Sequence, residues 1–134
     1  MSPHRLRVLV IDDVQCVRSV ITAAIHAYFE DEIEVETAVN LEQAMAFDPL
    51  TFDLVFVDLL LPGNRSGLEF LYFLRRKNLT TPFVIMTGFT SDQIYERLDS
   101  DTPIGLFEIL IKPFGIEKIH DLVLNLVNLP ALCD

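Results

Sequence analysis

Residues 6–13 read Leu-Arg-Val-Leu-Val-Ile-Asp-Asp, and residues 52–58 read Phe-Asp-Leu-Val-Phe-Val-Asp. Apart from Arg7 and Asp53, each is an unbroken apolar run that ends in carboxylates. A strand buried on both faces has this composition, whereas a strand with one wet face alternates apolar and polar residues. The two runs therefore belong in the middle of a sheet. Three more runs rich in Val, Ile, Leu and Phe lie at 33–38, 82–86 and 106–111. In the first of these, Ile33, Val35 and Thr37 alternate with Glu34, Glu36 and Ala38, and such an acidic face suits an edge strand.

Helical spacing fills the intervals. Val14, Val17, Ile21, Ala24, Ile25 and Tyr28 recur at steps of three and four, the stripe of a first helix. Asn40 with Gln43, and Thr90 with Gln93, have capping-box spacing and open a second and a fourth helix. Phe70, Leu71 and Leu74 form the inward stripe of the third, leaving Tyr72 opposite and Phe73 on its flank. Ile116, Ile119, Val123, Leu126 and Val127 mark the fifth. Alternating strands and helices predict an α/β fold, a doubly wound five-stranded parallel sheet covered on both faces. Right-handed crossovers favour the flavodoxin-like order 2-1-3-4-5, with ligands bound at the carboxyl ends where strands one and three diverge.

Composition bounds the function. The 134 residues, 51% hydrophobic and 22% charged, are read as one domain over 1–134 with a core at about 5–129. Twenty acidic against ten basic residues give a net charge of −10, which repels nucleic acid. No apolar run approaches the ~20 residues of a membrane span, and Met1 to Arg7 lacks the apolar stretch expected of a secretory signal. With only Cys16 and Cys133, the expected setting is a reducing cytoplasm, and Cys16 reads as an inert core thiol.

The strand ends collect Asp12 and Asp13, Asp58, Thr87 and Lys112. Helix capping is an ordinary alternative for Asp12 or Asp13 alone. It does not extend to Asp58, which is followed by Leu59–Leu61 and a Pro62-Gly63 turn. Three carboxylates in one crevice repel each other unless a cation neutralises them. All-oxygen ligands suit Mg²⁺ (or Mn²⁺), and the lack of nearby His or Cys argues against zinc. A carboxylate can attack phosphorus, with Lys112 and Thr87 at hand for the developing charge.

Taken together, residues 8–13, 55–58, 86–88 (Met-Thr-Gly) and 111–114 (Ile-Lys-Pro-Phe), in this order, resemble a response-regulator receiver domain of two-component phosphorelays over almost the whole chain. The resemblance implies that Asp58 takes a phosphoryl group from a sensor histidine kinase or histidine phosphotransfer protein. Mg²⁺ would be held by Asp12, Asp13, Asp58 and the backbone carbonyl of Leu60. It further implies that Lys112 pairs with a phosphoryl oxygen before a cis proline, and that Thr87 is the switch hydroxyl. A downstream protein would read the changed surface, self-association into a homodimer is left open, and the chain is not an enzyme with a substrate of its own. Two departures stand out. Ile109 occupies the family's aromatic switch position, with Phe107 on the same strand face as a substitute. Gly67 comes one residue later than the usual glycine, so residues 63–67 are expected to bulge. Apolar Leu60 and Phe89 at the rim are expected to slow attack by water.

Tyr72 and Phe73 read either as scattered surface aromatics or as a protein contact. His26 reads as a surface histidine, and the acidic run from Glu30 to Glu36 as a solvated edge. Gly63–Gly67 lacks the Lys-Ser/Thr of a phosphate-binding loop. The rival functions are a flavodoxin-like small-molecule enzyme and a phosphorylation-independent scaffold. Leu129-Pro130 suits either a natural terminus or the start of a linker.

Overall fold

The computed structural model describes residues 5–97 and 107–127. Five parallel strands, β1 (Leu6–Ile11), β2 (Ile33–Ala38), β3 (Leu54–Asp58), β4 (Phe83–Thr87) and β5 (Glu108–Ile111), form one sheet in the order β2-β1-β3-β4-β5. The helices between them are α1 (Gln15–Phe29), α2 (Leu41–Met45), α3 (Leu68–Arg76), α4 (Ser91–Tyr95) and α5 (Ile116–Leu126). The expected order is thus observed, with β1 and β3 central and β2 on an edge. Leu106, Cys133 and Leu129-Pro130 lie outside the described residues.

Strand periodicity divides the core in two. Val8, Val10, Leu54, Phe56, Val84, Met86 and Leu110 point to one face, where Ile21, Ala24, Ile25 and Phe29 of α1 and Ile119, Leu122 and Val123 of α5 cover them. Leu9, Ile11, Val55, Val57, Phe83 and Ile85 point to the other, beneath Leu41 and Ala44 of α2, Leu68, Phe70, Leu71 and Leu74 of α3, and Ile94 of α4. Burying each large aliphatic side chain contributes about 1.5–3 kcal/mol, so the two layers fix which way every strand end points.

The capping predictions are borne out. Asn40 accepts the Gln43 amide at 2.8 Å, and Thr90 with Gln93 forms a full capping box. The α1 stripe needs correction at its ends. Val14 precedes the helix and is 46% exposed, while the last turn buries Phe29 and leaves Tyr28 outside, its ring tilted against that of His120 with centroids 4.3 Å apart. Cys16 is exposed, not a core thiol, because it lies one residue, or about 100° of helical rotation, off the stripe position filled by Val17.

Candidate functional site

The sheet ladder sets Asp58 and Thr87 on the last residues of β3 and β4, and Asp12, Asp13 and Lys112 just past the ends of β1 and β5. The Asp12 amide donates to the Ala38 carbonyl at 3.0 Å, Leu59 to Met86 at 2.9 Å and Lys112 to Thr87 at 2.7 Å. Asp12, Asp58 and Thr87 are thereby held rigidly, and among the described residues they are the buried polar side chains. Asp12 Oδ1 accepts the Val14 amide at 2.9 Å and Oδ2 accepts Lys112 Nζ at 3.0 Å. The same ammonium stands 3.3 Å from Asp58 Oδ2. Asp13 is exposed beside them, and one carboxylate oxygen from each of the three acids lies within 4.8 Å of the others. Helix capping does not account for the pair, since α1 has Val14 at its N-cap and no side-chain cap. The Lys112–Pro113 peptide is cis.

Burial, and then the charge of Asp12, push the Asp58 carboxyl above its ordinary pKa, with Lys112 opposing them. Burial also works against the charge of Lys112, but its hydrogen bond to Asp12 and the two carboxylate charges outweigh this and raise its pKa. One ammonium against three acids leaves a negative pocket with oxygen donors alone, at a spacing that suits a hard divalent cation.

Beyond Asp58 the chain forms a hairpin of Leu60–Leu61 against Arg65–Ser66, turning through Gly63 and Asn64 at φ of 77° and 59°. The expected bulge is this turn. It returns the chain so that the Gly67 amide donates to the Leu59 carbonyl at 2.8 Å, against the backbone of Asp58. Leu60 is 56% exposed at the rim, and Phe89 is half-buried beneath the Arg97 guanidinium, 4.6 Å from its ring.

Thr87 Oγ1 accepts the Phe89 amide at 2.9 Å, tying the β4–α4 loop to the site. Ile109 and Phe107 both pack partly buried against the α2/α3/α4 side of the core, and Phe107 meets Tyr95 with ring centroids 5.8 Å apart. Tyr72 and Phe73 lie away from this cluster on α3, half-buried rather than projecting freely, with the Phe73 ring 5.6 Å from Phe70. Sequence reasoning missed Arg18, whose Nη1 donates to the Asp12 carbonyl at 2.7 Å across the β1–α1 turn. Only its place one turn into α1, six residues after Asp12, hinted at this.

Acids gathered at the topological switch point of such a sheet, with a lysine set against them, fit the phosphoacceptor pocket of a receiver domain. The chain belongs to that family, for the response regulator receiver domain profile matches residues 8–124. It is similar to the transcriptional regulatory protein BasR of Escherichia coli K12, 32% identical over 117 residues that cover 86% of this chain and 49% of that protein. The response regulator protein PmrA of Pseudomonas aeruginosa is 36% identical over 94 residues, 67% of this chain and 38% of its own. The chain thus spans half or less of the length of these curated relatives. Chemotaxis response regulator CheY4 of Vibrio cholerae shares the fold with a TM-score of 0.73 at 24% identity, over 92% of this chain and 100% of its own. Receiver domains bind Mg²⁺ at an acidic pocket and interact with histidine kinases or phosphotransfer proteins. The family match favours neither a flavodoxin-like enzyme nor a silent scaffold. Among the described residues no helix is long and apolar enough to cross a membrane.

Proposed function

We propose that Asp58 accepts a phosphoryl group from a phosphohistidine of a sensor kinase or phosphotransfer protein. One carboxylate oxygen attacks phosphorus and an O–P bond forms. The P–N bond breaks and its electron pair stays on the imidazole of the donor. Asp12, Asp13, Asp58 and the Leu60 carbonyl are the groups that would hold Mg²⁺ (or Mn²⁺), which when bound neutralises charge on the transferring group. Lys112, already 3.3 Å from Asp58, pairs with a phosphoryl oxygen. Thr87 turns its hydroxyl to donate to another, and in doing so gives up the Phe89 amide it now accepts. The β4–α4 loop then repacks, with Ile109, Phe107 and Tyr95 carrying the change to the surface. A protein target, attached or separate, reads that surface.

The observation that supports this most is the approach of three carboxylates within 4.8 Å, two of them sharing one ammonium. Intact mass spectrometry after incubation with acetyl phosphate and Mg²⁺ tests it. Wild type is expected to gain one phosphoryl group, which does not form when chelator replaces Mg²⁺ in the incubation or in Asp58→Asn; an equal adduct in that variant refutes the assignment.

Leu60 and Phe89 shield the acceptor from water. Leu60→Asn places a polar group at the rim and is expected to shorten the lifetime of the phosphorylated protein several-fold, about 1 kcal/mol of barrier. Decay followed by phosphate release checks this, and equal half-lives remove Leu60 from the account.

A further inference from the structure

We propose that the carboxyl-terminal half of α3 is a docking groove for a short acidic segment of a partner protein, in which apolar side chains alternate with carboxylates. The groove, of about 520 Å³, is lined by Met45, Glu69, Tyr72, Phe73, Arg76 and Lys77. That volume lies at the lower end of ligand-sized pockets and accommodates a few side chains, not a folded face.

Its chemistry is the reverse of the rest of the chain. Arg75, Arg76 and Lys77 form the only run of three consecutive cations in a protein of net charge −10. Arg75 turns back to cap the Leu79 and Thr81 carbonyls. Arg76 and Lys77 are exposed and have no carboxylate partner among the described residues. Each lies over an aromatic face instead, Arg76 at 5.6 Å from the Tyr72 ring and Lys77 at 5.0 Å from that of Phe73. A stacked guanidinium is already oriented and keeps its edge donors free for a carboxylate, so little side-chain freedom is lost on binding. The one acid of the lining, Glu69, is bonded to Arg65 at 3.0 Å, which leaves the two cations to set the local charge. The apolar floor of Met45 and the ring edges suits aliphatic side chains of the occupant, and aromatic and Arg residues are those that dominate binding hot spots.

Net charge decides between kinds of anion. A nucleic-acid duplex or an anionic membrane extends well beyond the Debye length of about 8–10 Å and meets the −10 field of the whole chain, whereas a short peptide within the groove meets mainly Arg76 and Lys77. Gly67, beside Asp58, adjoins the opposite end of α3, about 13 Å away at 1.5 Å per residue. The groove is therefore separate from the acid pocket and does not depend on its chemistry.

Fluorescence anisotropy tests this with the whole chain and a fluorescein-labelled decapeptide of alternating leucine and aspartate. Saturable binding in the micromolar range is expected, weakened at least tenfold by Arg76→Gln with Lys77→Gln and by replacing aspartate with lysine in the probe. Tyr72→Ser is expected to weaken it about as much, and Asp58→Asn to leave it unchanged. No saturable binding overturns the proposal, as does equal affinity for the charge-removed variant. Tighter binding of a DNA duplex or phosphatidylserine vesicles also overturns it, as does self-association in sedimentation that the double substitution abolishes.

Discussion

Asp58→Asn is expected to raise the melting temperature of the metal-free protein at neutral pH, although it removes an ion pair with Lys112. The reason lies in the balance at the carboxyl group, where burial and the Asp12 charge outweigh the ammonium and leave its pKa raised above 3.8. A group whose pKa is higher in the folded than in the unfolded chain contributes stability that is complete below the unfolded value. That contribution is lost as pH rises through the folded one. At neutral pH the ionised Asp58 is therefore a net cost. Each pKa unit corresponds to about 1.4 kcal/mol, and each kcal/mol to about 3–6 °C in a domain of this size. The gap between wild type and variant should narrow as pH falls through the folded value and close below the unfolded one, where both carry a neutral group. Melting curves in chelator across that range check this; a variant that melts lower than wild type at neutral pH contradicts the electrostatic account.

Gly67→Ala is expected to destabilise the fold by about 3 kcal/mol, the upper end of what overpacking usually costs. Conformation is not the cause, because Gly67 has φ of −59°, open to any residue. The obstacle is space. A Cβ there would overlap the carbonyl oxygen of Asp58 and sit 3.0 Å from Val57 Cγ2, and main chain within a central strand cannot move aside. The strand would have to shift, and the carboxylate with it, so phosphoryl uptake should fall with stability. Gly88→Ala, where an added Cβ meets nothing within 4 Å, is the control. Denaturant midpoints compare the two, and near-equal effects would refute the close approach.

Much of this was legible beforehand because a parallel sheet writes itself as apolar runs with chemistry at their ends. Leu6–Ile11 and Ile33–Ala38 were legible to the residue, and the converging acids followed from topology alone. β3 and β4 begin two and one residues later than the runs suggest, because Phe52-Asp53 and Pro82 lead into them. Asp53 instead turns back, its Oδ2 accepting the Arg7 amide at 2.8 Å. What periodicity could not supply was tertiary. Tyr28 and Phe29 are neighbours in sequence, and only the packing of α1 on the sheet says which faces inward. Gly67 looked displaced by one residue, yet the Leu60–Ser66 hairpin absorbs the extra length and restores its contact with Asp58. Tyr72 and Phe73 were visible as surplus aromatics, but the cations above them emerge only when α3 is built.

The pocket itself is tested most directly by calorimetric titration of Mg²⁺ into wild type and into Asp12→Asn, Asp13→Asn and Asp58→Asn. One ion per chain is expected in wild type, with affinity at least tenfold weaker in each variant. Binding that survives in all three, or none in wild type at millimolar metal, would contradict a shared cation among these acids.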